Sequence, residues 1–344
     1  MKQIIGTTNE TFSSEDALRR AYITTTLNAL EDAQPGGVVL GIGQYLNEDT
    51  IATRISGPLE SAFARVSSGL EREGPVTEDT HILRQVRERG LTELHRTEVR
   101  NDGGWVFQLN EFRSLRPKRG AEEKPNSIYQ PVDFTRSFHF DLPRVQNERV
   151  WRGEMCRRDA SLFINKFPFA KLHGLLVPEQ EEHHIQFIFP DQHSWLWEVV
   201  RTVALNIRGF CAGYNSLAAF PSVKQFHVQT AVEPTGLPVT ASRWRHNGGD
   251  RDYPLPCKAF SEPREGWRWI EDRVRANEAF NLLYVPGRVY CFPRRFQGSY
   301  SQAPWSSGFA WYECAGGIIT VDREAYGLLT PELVEAEFHK MRIA

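Results

Sequence analysis

The stretch SVKQFHVQ, residues 222–229, alternates between polar and apolar side chains. Successive side chains of a strand point to opposite faces, so Gln225, His227 and Gln229 share one face and the apolar residues between them point into a core. Burying three unpaired polar side chains costs roughly several kcal/mol, and a bound phosphate is one group that would satisfy them. A neutral His227 imidazole can attack phosphorus, and the Gln229 amide can donate to a phosphate oxygen. The alternative is a half-buried strand whose polar side faces water.

Strand and helix patterns surround this stretch without a regular βαβ alternation, which favours an α+β fold. We expect an antiparallel sheet with His227 on a central strand and an amphipathic helix at 194–210 packed on one face. A long loop with a short helix is expected at 241–275, and a helix at 331–343 after Thr330. The other predicted strands are 105–109, 137–142, 161–165, 173–178, 282–286, 288–293 and 315–321.

The N-terminal part has a different pattern. Ser13 and Ser14 are candidate caps of a helix that reaches Leu30. The sequence PGG at 35–37 predicts a break, 38–40 a short strand, and 59–70 a second helix. We expect residues 1–80 to form a small extra module and residues 81–344 to form the domain that carries the chemistry.

Composition excludes several classes of protein. Hydrophobic residues make up 40% of the 344 residues and the formal net charge is −2. A protein that binds a nucleic-acid backbone usually has a basic excess, so no nucleic acid is expected as a partner. The chain has no apolar run of about 20 residues, so no membrane contact is expected. The N-terminus has no apolar signal segment, which predicts a cytoplasmic protein.

The cysteines and histidines do not follow a metal-binding pattern. The spacing of the cysteines argues against a zinc ribbon or a disulfide scaffold. Adjacent residues of a strand point opposite ways, and we find no further His or Cys at ligand spacing from His183 and His184. We therefore expect those two residues in a surface turn, with no metal and no other cofactor. The five cysteines, which form no close pair, are Cys156, Cys211, Cys257, Cys291 and Cys314.

Basic residues form two groups that suit an anionic ligand. Phosphates need cations if they are to leave water, so these groups are candidate clamps; the alternative is a solvated charged face. The first group lies beside Asn110 and Glu111, and the second follows Pro293. Their members are Arg113, Arg116, Lys118 and Arg119, and Arg294 and Arg295.

Five collinear segments give the chain a resemblance to a known family. The residues 222–229 resemble the active-site strand of the histidine-triad superfamily, in the branch with a His-x-His-x-Gln pattern. Within it the chain is similar to the GDP-L-galactose and GDP-D-glucose phosphorylases. The matching segments are QLNEFRSLRPKR (108–119), QPVDFTRSFHF (130–140), FINKFPFAKLHGLLVPE (163–179), GYNSLAAFPSVKQFHVQ (213–229) and VYCFPRR (289–295).

The resemblance implies a histidine-triad-like fold and a two-step exchange. His227 attacks the nucleoside diphosphate sugar, sugar 1-phosphate leaves, and inorganic phosphate then takes the nucleotidyl group from the histidine. It also implies that Gln229 contacts phosphate and that Asn165, Asn215 and Ser216 line the phosphates or the ribose. The partners are thus a small nucleotide and phosphate, and a homodimer is possible. The remaining candidate substrate-binding residues are Asn110, Arg113, His173, Ser222, Gln225 and Arg294.

Two departures separate this chain from the pattern. Gln225 replaces the first His of the motif, which in relatives resembling galactose-1-phosphate uridylyltransferase holds a structural metal with a cysteine pair. Leu172 stands where the family usually has Gly before His173. Two alternatives stay open: a dinucleoside polyphosphate phosphorylase or nucleotide hydrolase, and a non-catalytic nucleotide-binding protein.

Overall fold

The structure is a computed structural model that describes residues 10–70, 77–116, 124–221, 223–306 and 308–343. None of the described helices is both long and apolar enough to cross a membrane. The α-helices of these residues are α1 (Glu15–Glu31), α2 (Pro35–Asn47), α3 (Asp49–Gly69), α4 (Glu78–Arg89), α5 (Pro190–Val203), α6 (Pro263–Arg275), α7 (Trp311–Cys314), α8 (Arg323–Leu328) and α9 (Pro331–Met341).

Two sheets organise the described part of the chain, one of eight strands in the order β3-β4-β5-β7-β6-β9-β10-β8 and one of three in the order β1-β2-β11. All pairs in the large sheet are antiparallel. The predicted α+β class with an antiparallel sheet is confirmed. The strands are β1 (Glu98–Asp102), β2 (Trp105–Leu109), β3 (Arg149–Met155), β4 (Arg158–Ile164), β5 (Gly174–Pro178), β6 (Phe210–Asn215), β7 (Val228–Val232), β8 (Lys258–Phe260), β9 (Ala279–Val285), β10 (Arg288–Arg294) and β11 (Gly317–Thr320).

Strand β7 lies in the middle of the large sheet, between β5 and β6, and His227 directly precedes it. Phe226 and Val228 enter the hydrophobic cluster that includes Leu196 of α5. Ala231, on the opposite face, enters a second cluster. The alternation expected along this stretch is therefore confirmed. Its polar side does not face water, because the exposed fractions of Gln225, His227 and Gln229 are 1%, 2% and 6%.

Helix α5 packs on β6 and β9, as the amphipathic pattern predicted. Its ends differ from the expected 194–210. Pro190 occupies the first turn, where a fixed φ and a missing N–H cost nothing. After Val203 the chain turns, and Gly209 has φ +85°.

The N-terminal helices pack against the large sheet and share its main hydrophobic cluster. Helix α1 begins as expected, with the Ser14 hydroxyl accepting from the Ala17 N–H at 3.1 Å. The predicted break at 35–37 and strand at 38–40 are wrong: Pro35 starts α2, and its apolar residues are buried. Helix α3 begins ten residues before the predicted Leu59. The expected boundary between residues 80 and 81 falls inside α4.

Two further expectations, at 137–142 and at 241–275, differ from the structure in part. The strand predicted at 137–142 is irregular, because Phe140 is buried and its N–H donates to the Gln225 side chain at 2.8 Å, outside any sheet ladder. The short helix expected within 241–275 is α6, and the strand β8, which the sequence did not predict, lies in the expected loop before it. Gly266, Trp269 and Ile270 are buried at helical spacing, and Pro263 lies in the first turn of α6.

Candidate active site around His227

The His227 imidazole is buried and held in one tautomer. Its Nδ1 lies 2.8 Å from the Gln225 carbonyl oxygen. Because a carbonyl oxygen only accepts, Nδ1 carries the proton and the lone pair lies on Nε2. Burial lowers the pKa of His227 to about 4, and the positive charge of Arg116 also lowers it. The hydrogen bond to the Gln225 carbonyl acts in the opposite direction and raises the pKa. The ring is therefore neutral near pH 7 and presents a nucleophilic nitrogen.

A residue that the sequence reasoning missed, Gln186, fixes the backbone of His227. Its Oε1 accepts from the His227 N–H at 2.9 Å, and its Nε2 donates to the His227 carbonyl at 3.2 Å and to the Asn215 carbonyl at 2.9 Å. The side chain is 2% exposed. One amide thus joins the residue before β7 to the end of β6. The available signal was a single Gln inside the apolar run IQFIF.

The Gln229 side chain is oriented by the Trp311 indole, a contact that the sequence did not predict. The Trp311 Nε1 donates to Gln229 Oε1 at 2.8 Å, and the Trp311 N–H donates to Asn215 Oδ1 at 2.9 Å. The indole lies against Gly213, which pairs with Gln229 in the sheet. A side chain at residue 213 would occupy the position of the indole. Gly213 is therefore required by the close approach of Trp311.

We expect Gly213→Ala to destabilise the protein by about 3 kcal/mol, the upper part of the range for overpacking a dense core. The added Cβ overlaps the Trp311 indole and separates it from Gln229. The free energy of unfolding from urea titration measures the effect. Gly57→Ala in α3 is the control, since no atom lies within 4 Å of its added Cβ. Equal stability of the two variants would contradict this packing.

The segment 165–173, which joins β4 to β5, is held through its carbonyl groups. Gln108 donates to the Phe169 carbonyl at 2.8 Å, Asn110 to that of Pro168 at 2.9 Å, and Arg113 to that of Phe167 at 2.6 Å. All three donors belong to the segment QLNEFR, residues 108–113. The segment fixes the connection that carries His173, which hydrogen-bonds to Gln229, and Asn110 is buried in this contact.

The N-terminal helices hold the same connection from the other side. The Tyr22 hydroxyl donates to the Leu172 carbonyl at 3.0 Å, and the Asn47 amide donates to the Ala170 carbonyl at 2.9 Å. Leu172 has φ +48°, a conformation that favours glycine. A glycine at this position would adopt the same φ without strain. Here the buried Leu172 side chain offsets the strain by packing in the main cluster.

His173 and Asn165 meet within this connection. Nδ1 of His173 accepts from the Phe169 N–H at 3.3 Å, and Nε2 lies 3.3 Å from Asn165 Nδ2. Gln229 also hydrogen-bonds to His173. Burial, with the Arg113 charge, lowers the pKa of His173 to about 3. His173 is thus a neutral ring that joins the connection to Gln229.

Two guanidinium groups supply positive charge near these histidines. Burial lowers the pKa of Arg113 to about 9, and the neighbouring Arg116 adds to the effect. The Arg113 Nε is buried and has no hydrogen-bond partner among the residues that the structure describes. The buried Glu313 partly balances both charges. Lys118 and Arg119, predicted to belong to the same cluster, lie outside the described residues.

Four predicted substrate-binding side chains are occupied by contacts within the protein. Asn215 Oδ1 accepts from Asn281 Nδ2 at 2.7 Å as well as from Trp311, and Ser216 Oγ accepts from the Phe280 N–H at 3.0 Å. Gln225 accepts from Phe140 and donates to the Gln180 carbonyl. Arg294, 1% exposed, contacts the Phe309 carbonyl and donates to the Tyr300 hydroxyl at 2.6 Å. These contacts give the four residues positioning roles. Ser222 lies outside the described residues.

The histidine pair also departs from expectation. His184 contacts Glu179 at 3.1 Å, as a surface residue would. His183 instead lies with His139 and Asp141 in a group whose candidate ligand atoms are all within 4.8 Å of one another. The expectation of no further ligand for His183 rested on sequence spacing, and it is wrong because the chain brings His139, 44 positions earlier, to the same place. Sequence spacing cannot detect such a pair.

The architecture is shared with a solved phosphorylase. The crystal structure of yeast Ap4A phosphorylase Apa2 matches with a TM-score of 0.50 at 15% identity, covering 78% of this chain and 94% of that one. The crystal structure of the same protein in complex with AMP matches with a TM-score of 0.50 at 14% identity, covering 76% of this chain and 96% of that one. At this identity the likeness establishes the fold, an α+β fold of the histidine-triad type.

Sequence similarity points to a narrower group. Residues 88–231 match the family described as GDPGP1-like, N-terminal domain. GDP-D-glucose phosphorylase 1 of Danio rerio is 30% identical over 139 residues, 40% of this chain and 39% of that protein. The Homo sapiens protein of the same name is 29% identical over 157 residues, which are 43% of this chain and 39% of that protein. The alignments span about two fifths of those relatives. The resemblance to GDP-hexose phosphorylases is confirmed, and four of the five matching segments lie within 88–231.

Proposed function

We propose that this chain is a phosphorylase that splits a GDP-hexose with inorganic phosphate through a nucleotidyl-histidine at His227. The observation that carries the proposal is the neutral His227 ring with its proton on Nδ1. Such a ring has a free electron pair on Nε2 in the pH range where phosphate esters are ionised. The similarity of residues 88–231 to GDP-D-glucose phosphorylases supports the substrate class.

In the first step, Nε2 of His227 attacks the phosphorus that carries the nucleoside. The N–P bond forms and the P–O bond to the sugar phosphate breaks, so that sugar 1-phosphate leaves with the bonding electron pair. The proton stays on Nδ1, which continues to donate to the Gln225 carbonyl oxygen. This contact stabilises the positive charge that develops on the ring.

In the second step, an oxygen of inorganic phosphate attacks the same phosphorus. The O–P bond forms, the N–P bond breaks, and the electron pair returns to Nε2. The products are a nucleoside diphosphate and the starting enzyme. The cations Arg113 and Arg116 are suited to both steps because each transition state carries additional negative charge on phosphate oxygens.

Gln229 is the side chain that we assign to a non-bridging phosphate oxygen. Its Oε1 is bound by Trp311, which orients the amide. His173 and Asn165 fix the adjacent connection, and we assign them to the same phosphate region. Asn215, Ser216, Gln225 and Arg294 support these groups without contacting the substrate.

A dinucleoside polyphosphate is the second candidate substrate, since the fold is shared with an Ap4A phosphorylase. The same attack on phosphorus would release a nucleoside polyphosphate as the leaving group. The two candidates differ in the pocket for that group and share the nucleophile.

A substrate panel tests the proposal. The purified chain is incubated with GDP-glucose, GDP-galactose, UDP-glucose and Ap4A, each with phosphate, and the released sugar 1-phosphate and nucleotides are measured. We expect a GDP-hexose to be preferred by at least about tenfold, equivalent to 1.4 kcal/mol. With phosphate omitted, mass spectrometry should show a guanylyl adduct on His227. Turnover of Ap4A alone would favour the second candidate, and no turnover with any of the four would overturn the proposal.

The pH dependence of the first step follows from the lowered pKa of His227. We expect the rate of nucleotidyl transfer to His227 to be constant from pH 8 to about pH 5, with an acid limb near pH 4. The rate falls with decreasing pH because protonation removes the Nε2 electron pair. Single-turnover release of sugar 1-phosphate after a brief pH jump measures it. A midpoint near 6.5, the ordinary value for histidine, would contradict the buried neutral ring.

We also propose that the enzyme acts in the cytoplasm. The free cysteines of the described chain suit a reducing compartment. A homodimer stays a prediction that sedimentation velocity can test.

A further inference from the structure

A cluster outside the His227 site brings together His139, Asp141 and His183. His183 Nε2 lies 2.8 Å from Asp141 Oδ1, and His139 Nδ1 contacts the same oxygen. The two imidazole centroids are 4.6 Å apart. In the described part of the chain, this is the one group of three histidine, cysteine or acidic side chains that can hold a metal ion. Two ring nitrogens and a carboxylate oxygen therefore converge on one point.

The cluster has two arms, the segment 139–141 and the turn at His183, and each is fixed by the backbone next to it. Phe140, between His139 and Asp141, is 1% exposed, and its ring packs on Phe163 at 5.2 Å. His183 has φ +49°, a conformation that few non-glycine residues adopt, at the end of a short 3₁₀ helix. The backbone that carries His139 is thus fixed by the buried Phe140, and the backbone that carries His183 is fixed by the 3₁₀ helix before it.

Gln225 joins the two arms. Its Oε1 accepts from the Phe140 N–H at 2.8 Å, and its Nε2 donates to the Gln180 carbonyl at 2.7 Å, three residues before His183. The Gln225 carbonyl in turn binds His227 Nδ1. A group that links His139 and Asp141 to His183 would therefore also fix Gln225, the residue whose carbonyl orients His227.

We propose that His139, Asp141 and His183 bind a divalent transition-metal ion of the zinc class, with His139 Nδ1, His183 Nε2 and Asp141 Oδ1 as ligands. Imidazole and carboxylate ligands suit zinc and its neighbours, whereas calcium and magnesium take oxygen ligands. A fourth position remains for water, since the three side chains are 17%, 30% and 30% exposed. The ion ties the 139–141 segment to the turn at His183. The sequence-based expectation of no metal rested on the missing cysteine pair, the missing His-x-His pair and the absence of a further ligand at close sequence spacing from His183 and His184; His139 lies 44 positions before His183.

Cobalt and zinc binding by the full chain test the site. After chelator treatment, the protein is titrated with Co²⁺ while the visible spectrum is recorded, then loaded with Zn²⁺ and analysed by elemental mass spectrometry. We expect about one equivalent of either metal per chain and a higher midpoint of thermal unfolding in the loaded protein. Absence of binding by the wild-type protein would overturn the proposal without reference to any variant.

Variants locate the ion. His183→Gln and Asp141→Asn should weaken metal binding by more than about 100-fold, beyond the effect of losing an outer-shell partner. His184→Gln is the matched control, because His184 is adjacent in sequence but contacts Glu179. It should bind metal as the wild type does and show the same thermal shift. Equal loss in all three variants would place the ion elsewhere and refute the assignment.

Discussion

His227→Asn is expected to lower turnover by roughly 10⁴- to 10⁶-fold, the scale of loss when a nucleophile is removed. Asparagine has no nitrogen electron pair that can attack phosphorus, although its size and one amide donor fit the position. The variant should therefore still bind the nucleotide. Turnover with phosphate, and nucleotidyl labelling without phosphate, measure the two steps separately.

Gln229→Ala is the companion variant. It removes a donor to the transition-state charge and leaves the nucleophile, so turnover should fall by about 10²- to 10³-fold with labelling retained. Steady-state kinetics of the wild type should be ping-pong, because the sugar phosphate leaves before phosphate reacts. Turnover by His227→Asn at the wild-type rate, with no adduct on the wild type, would require direct in-line transfer instead.

Gln186→Leu is expected to destabilise the protein by about 3–5 kcal/mol. Leucine has nearly the same size but leaves the His227 N–H, the His227 carbonyl and the Asn215 carbonyl without this amide, and each buried unpaired group costs about 1–3 kcal/mol. The free energy of unfolding from denaturant titration measures the loss. Nucleotidyl labelling of the folded fraction should also slow, because the His227 backbone is no longer fixed.

Gln192→Leu is its control in the same part of the chain. Gln192 is 3% exposed, and its Oε1 accepts from one backbone N–H, that of Phe189, at 3.0 Å. Losing that single contact should cost about 1 kcal/mol. If the two variants were equally stable, Gln186 would not have the central role that its three hydrogen bonds indicate.

The connection 165–173 shows how distant parts of the chain serve one site. The QLNEFR segment binds three successive carbonyls, and α1 and α2 bind two more. Lys166 adds ion pairs of about 3 Å to Asp79 and Glu148. The N-terminal helices, for which the sequence suggested no chemistry, therefore help to hold His173 beside Gln229.

The sequence by itself determined that residues 222–229 lead into a strand at the centre of the large sheet and that an amphipathic helix packs on that sheet. Alternation from 222 to 229 has a period of two, and apolar spacing from 194 onward has a period near 3.6; both periods are local properties of the chain. The collinear segments added the resemblance to the GDP-hexose phosphorylases. Local signals were also sufficient for the start of α1, because a serine cap and acidic first turn lie within four residues.

Only the tertiary structure decided what these groups touch. The residues Val38–Leu40 favour a strand locally, but burial against neighbouring helices makes them part of α2. Arg294 resembles a phosphate clamp in sequence and is enclosed by its own protein. The His139, Asp141 and His183 cluster depends on the return of the chain after 44 residues. Contacts between residues far apart in sequence depend on packing, and no local pattern records them.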